Sequence, residues 1–152
     1  TPCEEMCKKC GVCYTFPTAD AVAREPERMA GANVGFRDKY LLDAARKVDS
    51  GDVSLKKIAA ARSYEYTRTR LKEILGVGDK VASCAALFGF SNLEAFPIDV
   101  WMKRAMQTLF PKMSPKDFGD YAGFAQQYIF HYSRMHPELF PDKASDKKSD
   151  KK

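Results

Sequence analysis

Tyr64-Glu65-Tyr66-Thr67-Arg68-Thr69-Arg70-Leu71-Lys72-Glu73-Ile74-Leu75-Gly76-Val77-Gly78-Asp79-Lys80-Val81-Ala82-Ser83-Cys84-Ala85-Ala86-Leu87-Phe88 reads as helix, turn and helix in one run. Tyr64 to Leu75 is helical by pattern and Gly76-Val77-Gly78-Asp79 must turn. Lys80 to Phe88 is helical again, with Val81, Cys84, Ala85 and Phe88 on one side. Two glycines this close can both take positive φ, leaving backbone N–H groups exposed at the start of the second helix. The helix dipole and those donors favour an anion there. Gly76, Val77, Gly78 and Lys80 could thus grip a nucleic-acid backbone without reading its sequence. An ordinary packing element between two helices uses the same glycines, so the turn alone leaves both readings open.

Outward from this hairpin the spacing stays helical. Pro17 and Thr18 can start a helix over Ala19 to Ala30, and Arg37 to Val48 carries Tyr40, Leu41, Leu42, Ala45 and Val48 in a stripe that Gly51 ends. Ser54 can cap a short helix through Ala61. Downstream, Gly89 is expected to close the hairpin's second helix, and a loop runs from Phe90 to Pro97. Asp99 or a neighbour opens a helix through Leu109, and a long helix covers roughly Pro115 to Met135. No sustained run of alternating β-branched residues occurs. The expected class is therefore all-α, with one domain over residues 18–136 and the hairpin at 64–88. At 152 residues and 45% hydrophobic composition the chain suffices for one sizeable core. Residues 137–152 read as a disordered charged tail, small and charged throughout from Pro141 onward.

The net charge of +5 fits a polyanion partner, yet part of the excess lies in the run Asp142 to Lys152, and charge alone decides nothing. No stretch approaches the roughly 18 apolar residues of a membrane span. We expect a soluble intracellular monomer, cytoplasmic in a bacterium or nuclear in a eukaryote. The chain starts at Thr1 without a methionine, and residues 1–17 read as the interior of a longer protein. Cys3, Cys7, Cys10 and Cys13 form a C-x3-C-x2-C-x2-C run, with Cys84 apart. Such a run can hold a metal or carry reduced thiols.

Lys80 stands in the first turn of its helix, at the positive end of the dipole, which favours the neutral, nucleophilic amine over the ammonium. An amine attacking a sugar C1′ can expel the base and leave a Schiff base. It can equally neutralise a phosphate. Asp99 lies in Phe96-Pro97-Ile98-Asp99-Val100-Trp101, directly before a helix. A carboxylate held there could stabilise an oxocarbenium-like sugar as the base departs, or simply cap the helix.

Leu75-Gly76-Val77-Gly78-Asp79-Lys80-Val81-Ala82, followed by Phe96-Pro97-Ile98-Asp99-Val100-Trp101, resembles the signature of the 8-oxoguanine DNA glycosylases, a helix-hairpin-helix family. Gly35-Phe36-Arg37-Asp38-Lys39-Tyr40 resembles the family's Gly-aromatic-Arg-x-x-Tyr helix start. The run Tyr121-Ala122-Gly123-Phe124-Ala125-Gln126-Gln127-Tyr128-Ile129-Phe130 resembles its final helix. The match spans roughly Tyr14 to Arg134, in the family's order.

The resemblance implies a bifunctional DNA glycosylase/AP lyase of base-excision repair, acting on double-stranded DNA that contains an oxidised purine and needing no cofactor. Lys80 would displace the damaged base and Asp99 support the transition state. Gln126 and Phe130, four apart on one helix face, match positions that hydrogen-bond and stack on a flipped purine. By the residues alone Phe130 reads as core and Gln126 as surface. Cys84 matches a pocket-lining cysteine, or else a small buried residue. Trp101 and Met102 are expected beside the pocket or the DNA backbone. Family members also carry a β-rich N-terminal domain and an Asn-rich segment that this chain does not show, and an aromatic that wedges beside the opposite base stands here as Cys13, so that role is either lost or passes to Tyr14. A non-enzymatic DNA-binding hairpin module, or an inactive truncated relative, is the alternative; it would keep the glycines and lose nothing with Lys80.

Overall fold

The computed structural model describes residues 15–140, and every regular element among them is helical. Helix α1 (Ala19–Arg24) is capped by Thr18, whose Oγ1 accepts from the Ala21 N–H at 3.3 Å. It stops short of Ala30 because Pro26 pushes Glu25 out of the helical region, to φ −125° and ψ 62°. Residues Pro26–Ala32 wind instead as 3-10 turns. A 3-10 turn over Gly35–Arg37 leads into α2 (Asp38–Asp49), and Ser54 caps α3 (Leu55–Ala61).

The hairpin consists of α4 (Tyr64–Leu71) and α5 (Asp79–Phe90). Helix α4 ends four residues before the expected Leu75. The chain then tightens, with Ile74 N–H donating to Leu71 O and Val77 N–H to Ile74 O. That tightening turns Ile74 inward, where it is buried with Leu71, Val53, Ile58 and Ala82. Gly89 does not close α5. The stop is Ser91, at φ 55°, and Asn92 N–H returns to Ala86 O at 3.0 Å, the bond that satisfies a helix's last carbonyls.

Beyond the loop come α6 (Val100–Leu109), 3-10 turns over Pro115–Tyr121, and α7 (Ala122–Met135). The single long helix expected from Pro115 is divided by Gly119, at φ 68° and ψ −156°, a conformation that only glycine adopts cheaply. Helices α6 and α7 close over Phe96, Met102, Ala105, Ala122, Ile129 and Phe140, with Phe118 stacked on Phe96 at 5.4 Å. Phe140 is 2% exposed, so packed structure extends past the expected boundary at residue 136. Helix α5 runs between this core and the hairpin's own, burying Ala82, Ala86 and Leu87.

Gly123 sets how closely α7 approaches the loop before α6. Its N–H donates to Leu93 O at 2.7 Å. A Cβ there would lie 2.8 Å from Leu93 O and 2.9 Å from Ala95 O, besides meeting the Leu87 side chain. Two of those neighbours are backbone and cannot swing away. Gly123→Ala is expected to destabilise the protein by about 3 kcal/mol, the upper part of the overpacking range. Urea unfolding checks this, as a lowered midpoint at unchanged slope.

Candidate active site

Helix α5 presents Lys80, Cys84 and Phe88 at i, i+4 and i+8, so all three share a face. Residues 96–99 form a strap in front of α6 whose side chains alternate. Phe96 and Ile98 face one side, Pro97 and Asp99 the other. Helix α7 contributes Gln126, Gln127 and Phe130. Together Lys80, Cys84, Phe88, Pro97, Asp99 and the three α7 residues line an open-mouthed cavity of about 180 Å³. Five residues singled out in the sequence, Lys80, Cys84, Asp99, Gln126 and Phe130, thus meet at one place.

Asp99 is the N-cap of α6, and its Oδ1 accepts from the Met102 N–H at 2.8 Å. That bond fixes one oxygen and leaves the other for the cavity. Gln126 is 4% exposed and accepts at Oε1 from Gln127 Nε2. Lys80 is exposed at the rim.

Met102 does not line the cavity. Its side chain is fully buried in the α6–α7 core, and only its backbone reaches the site, through Asp99. Trp101 also lies outside the lining, with the Arg134 guanidinium 4.7 Å and the Arg104 guanidinium 5.5 Å from its ring centre. Phe88, Pro97 and Gln127 were not singled out. Phe88 could have been, since it repeats the four-residue step from Lys80 to Cys84.

On the far side of the strap a larger groove of about 690 Å³ is lined by Tyr64, Arg68, Asp79, Ser83, Phe96 and Ile98, among others, and Lys80 borders both spaces. Tyr64 Oη and Ser83 Oγ are 2.8 Å apart across the α4–α5 contact.

The hairpin turn differs from expectation in one respect. Only Gly76 takes positive φ, at 79°, while Gly78 sits at φ −89° as the N-cap of α5. The two glycines do different work. The Tyr40 ring lies flat against Gly76, with Cγ 2.7 Å from where a Cβ would stand. Gly78 has no atom within 4 Å of its own Cβ position, which leaves the start of α5 open to an approaching group. From α2, Asp43 accepts the Leu75 N–H at 2.7 Å and pairs with Lys47 at 3.0 Å. The Leu75 N–H foremost, then Lys47, hold the Asp43 carboxyl below its ordinary range.

Cys3, Cys7, Cys10, Cys13 and Tyr14 lie outside the described residues. Among the described residues no cluster of His, Cys, Asp and Glu is arranged to hold a metal ion, and no helix is long and apolar enough to cross a membrane.

No family model matches the chain. Over 116 residues it is 31% identical to a probable N-glycosylase/DNA lyase of Methanothermobacter thermautotrophicus, a match covering 70% of this chain and 36% of that protein. Its fold superimposes on MBOgg1 in complex with a low-affinity DNA ligand, with a TM-score of 0.78 and 38% identity over 90% of this chain and 50% of that one. The 8-oxoguanine glycosylase/lyase of Clostridium acetobutylicum, bound to double-stranded DNA with cytosine opposite 8-oxoguanine, gives a TM-score of 0.77 and 33% identity at the same coverage. The fold is therefore that of a helix-hairpin-helix DNA glycosylase. Within that class, the chain is similar in sequence to N-glycosylase/DNA lyases and in structure to 8-oxoguanine glycosylases, in line with its sequence motifs. It spans about a third of the length of the first relative and half that of the solved ones.

Proposed function

We propose that this chain carries the chemical centre of a bifunctional DNA glycosylase/AP lyase that removes 8-oxoguanine from double-stranded DNA. The observation that carries the proposal is the meeting of Lys80 and Asp99 at one cavity walled by Gln126 and Phe130. At about 180 Å³, the cavity falls below the roughly 300–1,000 Å³ of sites for drug-sized ligands, a scale that suits one flat ring system. A base can enter only by leaving the helical stack, the price of doing chemistry on it.

With the base in the cavity, Phe130 supplies a ring face and Gln126 an amide for the purine edge. The hairpin N–H groups hold a neighbouring phosphate, which places the sugar over Lys80. The Lys80 amine attacks C1′ and the C1′–N9 bond breaks. The base leaves with the bond's electrons and takes up a proton. Asp99 stabilises the positive charge that develops on the sugar. Opening of the sugar ring yields a Schiff base between Lys80 Nζ and C1′. Loss of a C2′ proton then expels the 3′-phosphate by β-elimination, and water releases the lysine.

The testing experiment is reduction with borohydride during turnover. A covalent adduct is expected with duplex containing 8-oxoguanine opposite cytosine, at least about tenfold more than with undamaged duplex, and peptide mass mapping should place it on Lys80. A protein that binds both duplexes, releases no base and yields no adduct is a DNA-binding module, and the proposal fails.

A further inference from the structure

Helix α5 begins without a side-chain cap. Gly78 offers none, whereas Thr18, Ser54, Ser63 and Asp99 each close their helices with an oxygen on a backbone N–H. Uncapped N–H groups suit a phosphate. In the free protein, however, the helix that carries Lys80 lacks the local tie that fixes those others.

Asp79, the first residue of α5, supplies a tie of another kind. Its Oδ1 accepts from Arg68 Nη2 at 2.8 Å and from Lys72 Nζ at 2.7 Å. One oxygen thereby joins the start of α5 to the last turn of α4 and to the residue that follows it. Arg68 is held in turn by Glu65 at 3.1 Å. Glu65, Arg68, Asp79 and Lys80 all border the groove beyond the strap, so this chain of charges ends at the residue next to Lys80. The Lys72 hydrogen bond foremost, with both cations nearby, holds the Asp79 carboxyl below its ordinary range, and the tie is ionic at neutral pH.

Resting on the glycosylase/lyase reading above, we infer that Asp79 is a positioning residue for Lys80: by bridging Arg68 and Lys72 it fixes the first turn of α5 and so the direction of the attacking amine. Exposed ion pairs add little to global stability, but placement is a stricter demand, since a displacement of about 1 Å can cost on the order of 100-fold in rate. The bridge has a second effect. It withholds two cations from the phosphate that the turn would bind, and they neutralise a carboxylate that would otherwise repel it. Removing Asp79 therefore acts in opposite directions on chemistry and on binding. A general loss of structure would lower both.

The test compares the intact protein with Asp79→Ala and Asp79→Glu. Amide hydrogen exchange reports on the first turn through Ala82, whose N–H donates to Gly78 O at 2.9 Å. In Asp79→Ala its exchange is expected to be about tenfold faster, with an unchanged melting temperature. At saturating 8-oxoguanine duplex the borohydride adduct should form about tenfold more slowly. The Kd for the same DNA should stay equal or tighten, with a steeper salt dependence from the freed Arg68 and Lys72. Asp79→Glu should recover most of the rate. Unchanged exchange at Ala82, an adduct rate equal to the parent protein's, or a parallel fall of rate and affinity overturns the assignment. If the parent protein itself forms no adduct, the bifunctional glycosylase/lyase reading fails, and exchange at Ala82 alone decides whether Asp79 fixes α5.

Discussion

Lys80→Gln is expected to leave no borohydride-trappable adduct and to slow release of 8-oxoguanine by about 10³-fold or more, a barrier increase of roughly 4 kcal/mol. Glutamine keeps the length and polarity of the side chain and removes the nucleophile. Lys80 is exposed at the start of α5, and the turn's open N–H groups are backbone, so fold and DNA grip should persist. Unfolding midpoints within experimental error and a Kd within about threefold of the parent's are expected alongside the lost chemistry. Base release followed by chromatography and adduct yield on a denaturing gel give the two readouts. Retention of the adduct would move the Schiff base to another amine. Retention of base release without the adduct would make the chain a monofunctional glycosylase that uses water.

Asp99→Asn is expected to slow base release by about 10²- to 10³-fold, the magnitude seen when one preorganised electrostatic group is lost from a transition state. The substitution separates two roles held by one side chain. An amide oxygen can still accept the Met102 N–H and keep α6 capped, while the negative charge facing the cavity disappears. Thermal stability and DNA affinity should therefore stay near the parent values. Asp99→Ala should in addition lose the cap, at about 1 kcal/mol. If Asn and Ala lower stability and rate together, Asp99 is only a cap, and the charge on the sugar is met elsewhere.

These two residues were the most legible part of the site, and for an identifiable reason. Each stands at a helix start beside a turn signal, glycines for Lys80 and the Phe96-Pro97 pair for Asp99, so sequence alone gave them an address in three dimensions. Gln126 and Phe130 were legible by their four-residue step. Met102 misled because it follows Asp99 closely in the chain. In a capped helix, though, that position begins the inward stripe continued by Ala105, and the side chain belongs to the core. Pro97 and Gln127 could not be placed without knowing how the strap alternates and which side of α7 meets α5. Helix existence was clear throughout, and helix ends were not. Pro26, Ser91 and Gly119 set three of them, and the decisive facts there are backbone angles rather than hydrophobic spacing. The support beneath the hairpin, Tyr40 on Gly76 and Asp43 on Leu75, comes from residues more than thirty positions away and leaves no local signal.

The strap at residues 96–99 is a party wall. Pro97 and Asp99 face the small cavity, and Phe96 and Ile98 face the groove behind it and the core. A change of shape in the strap would alter both rooms at once and disturb the partition that carries Asp99. An engineer wishing to admit a bulkier lesion would do better to leave the wall standing and trim the furniture opposite, at Phe88 or Gln127, where the helices behind them bear the load.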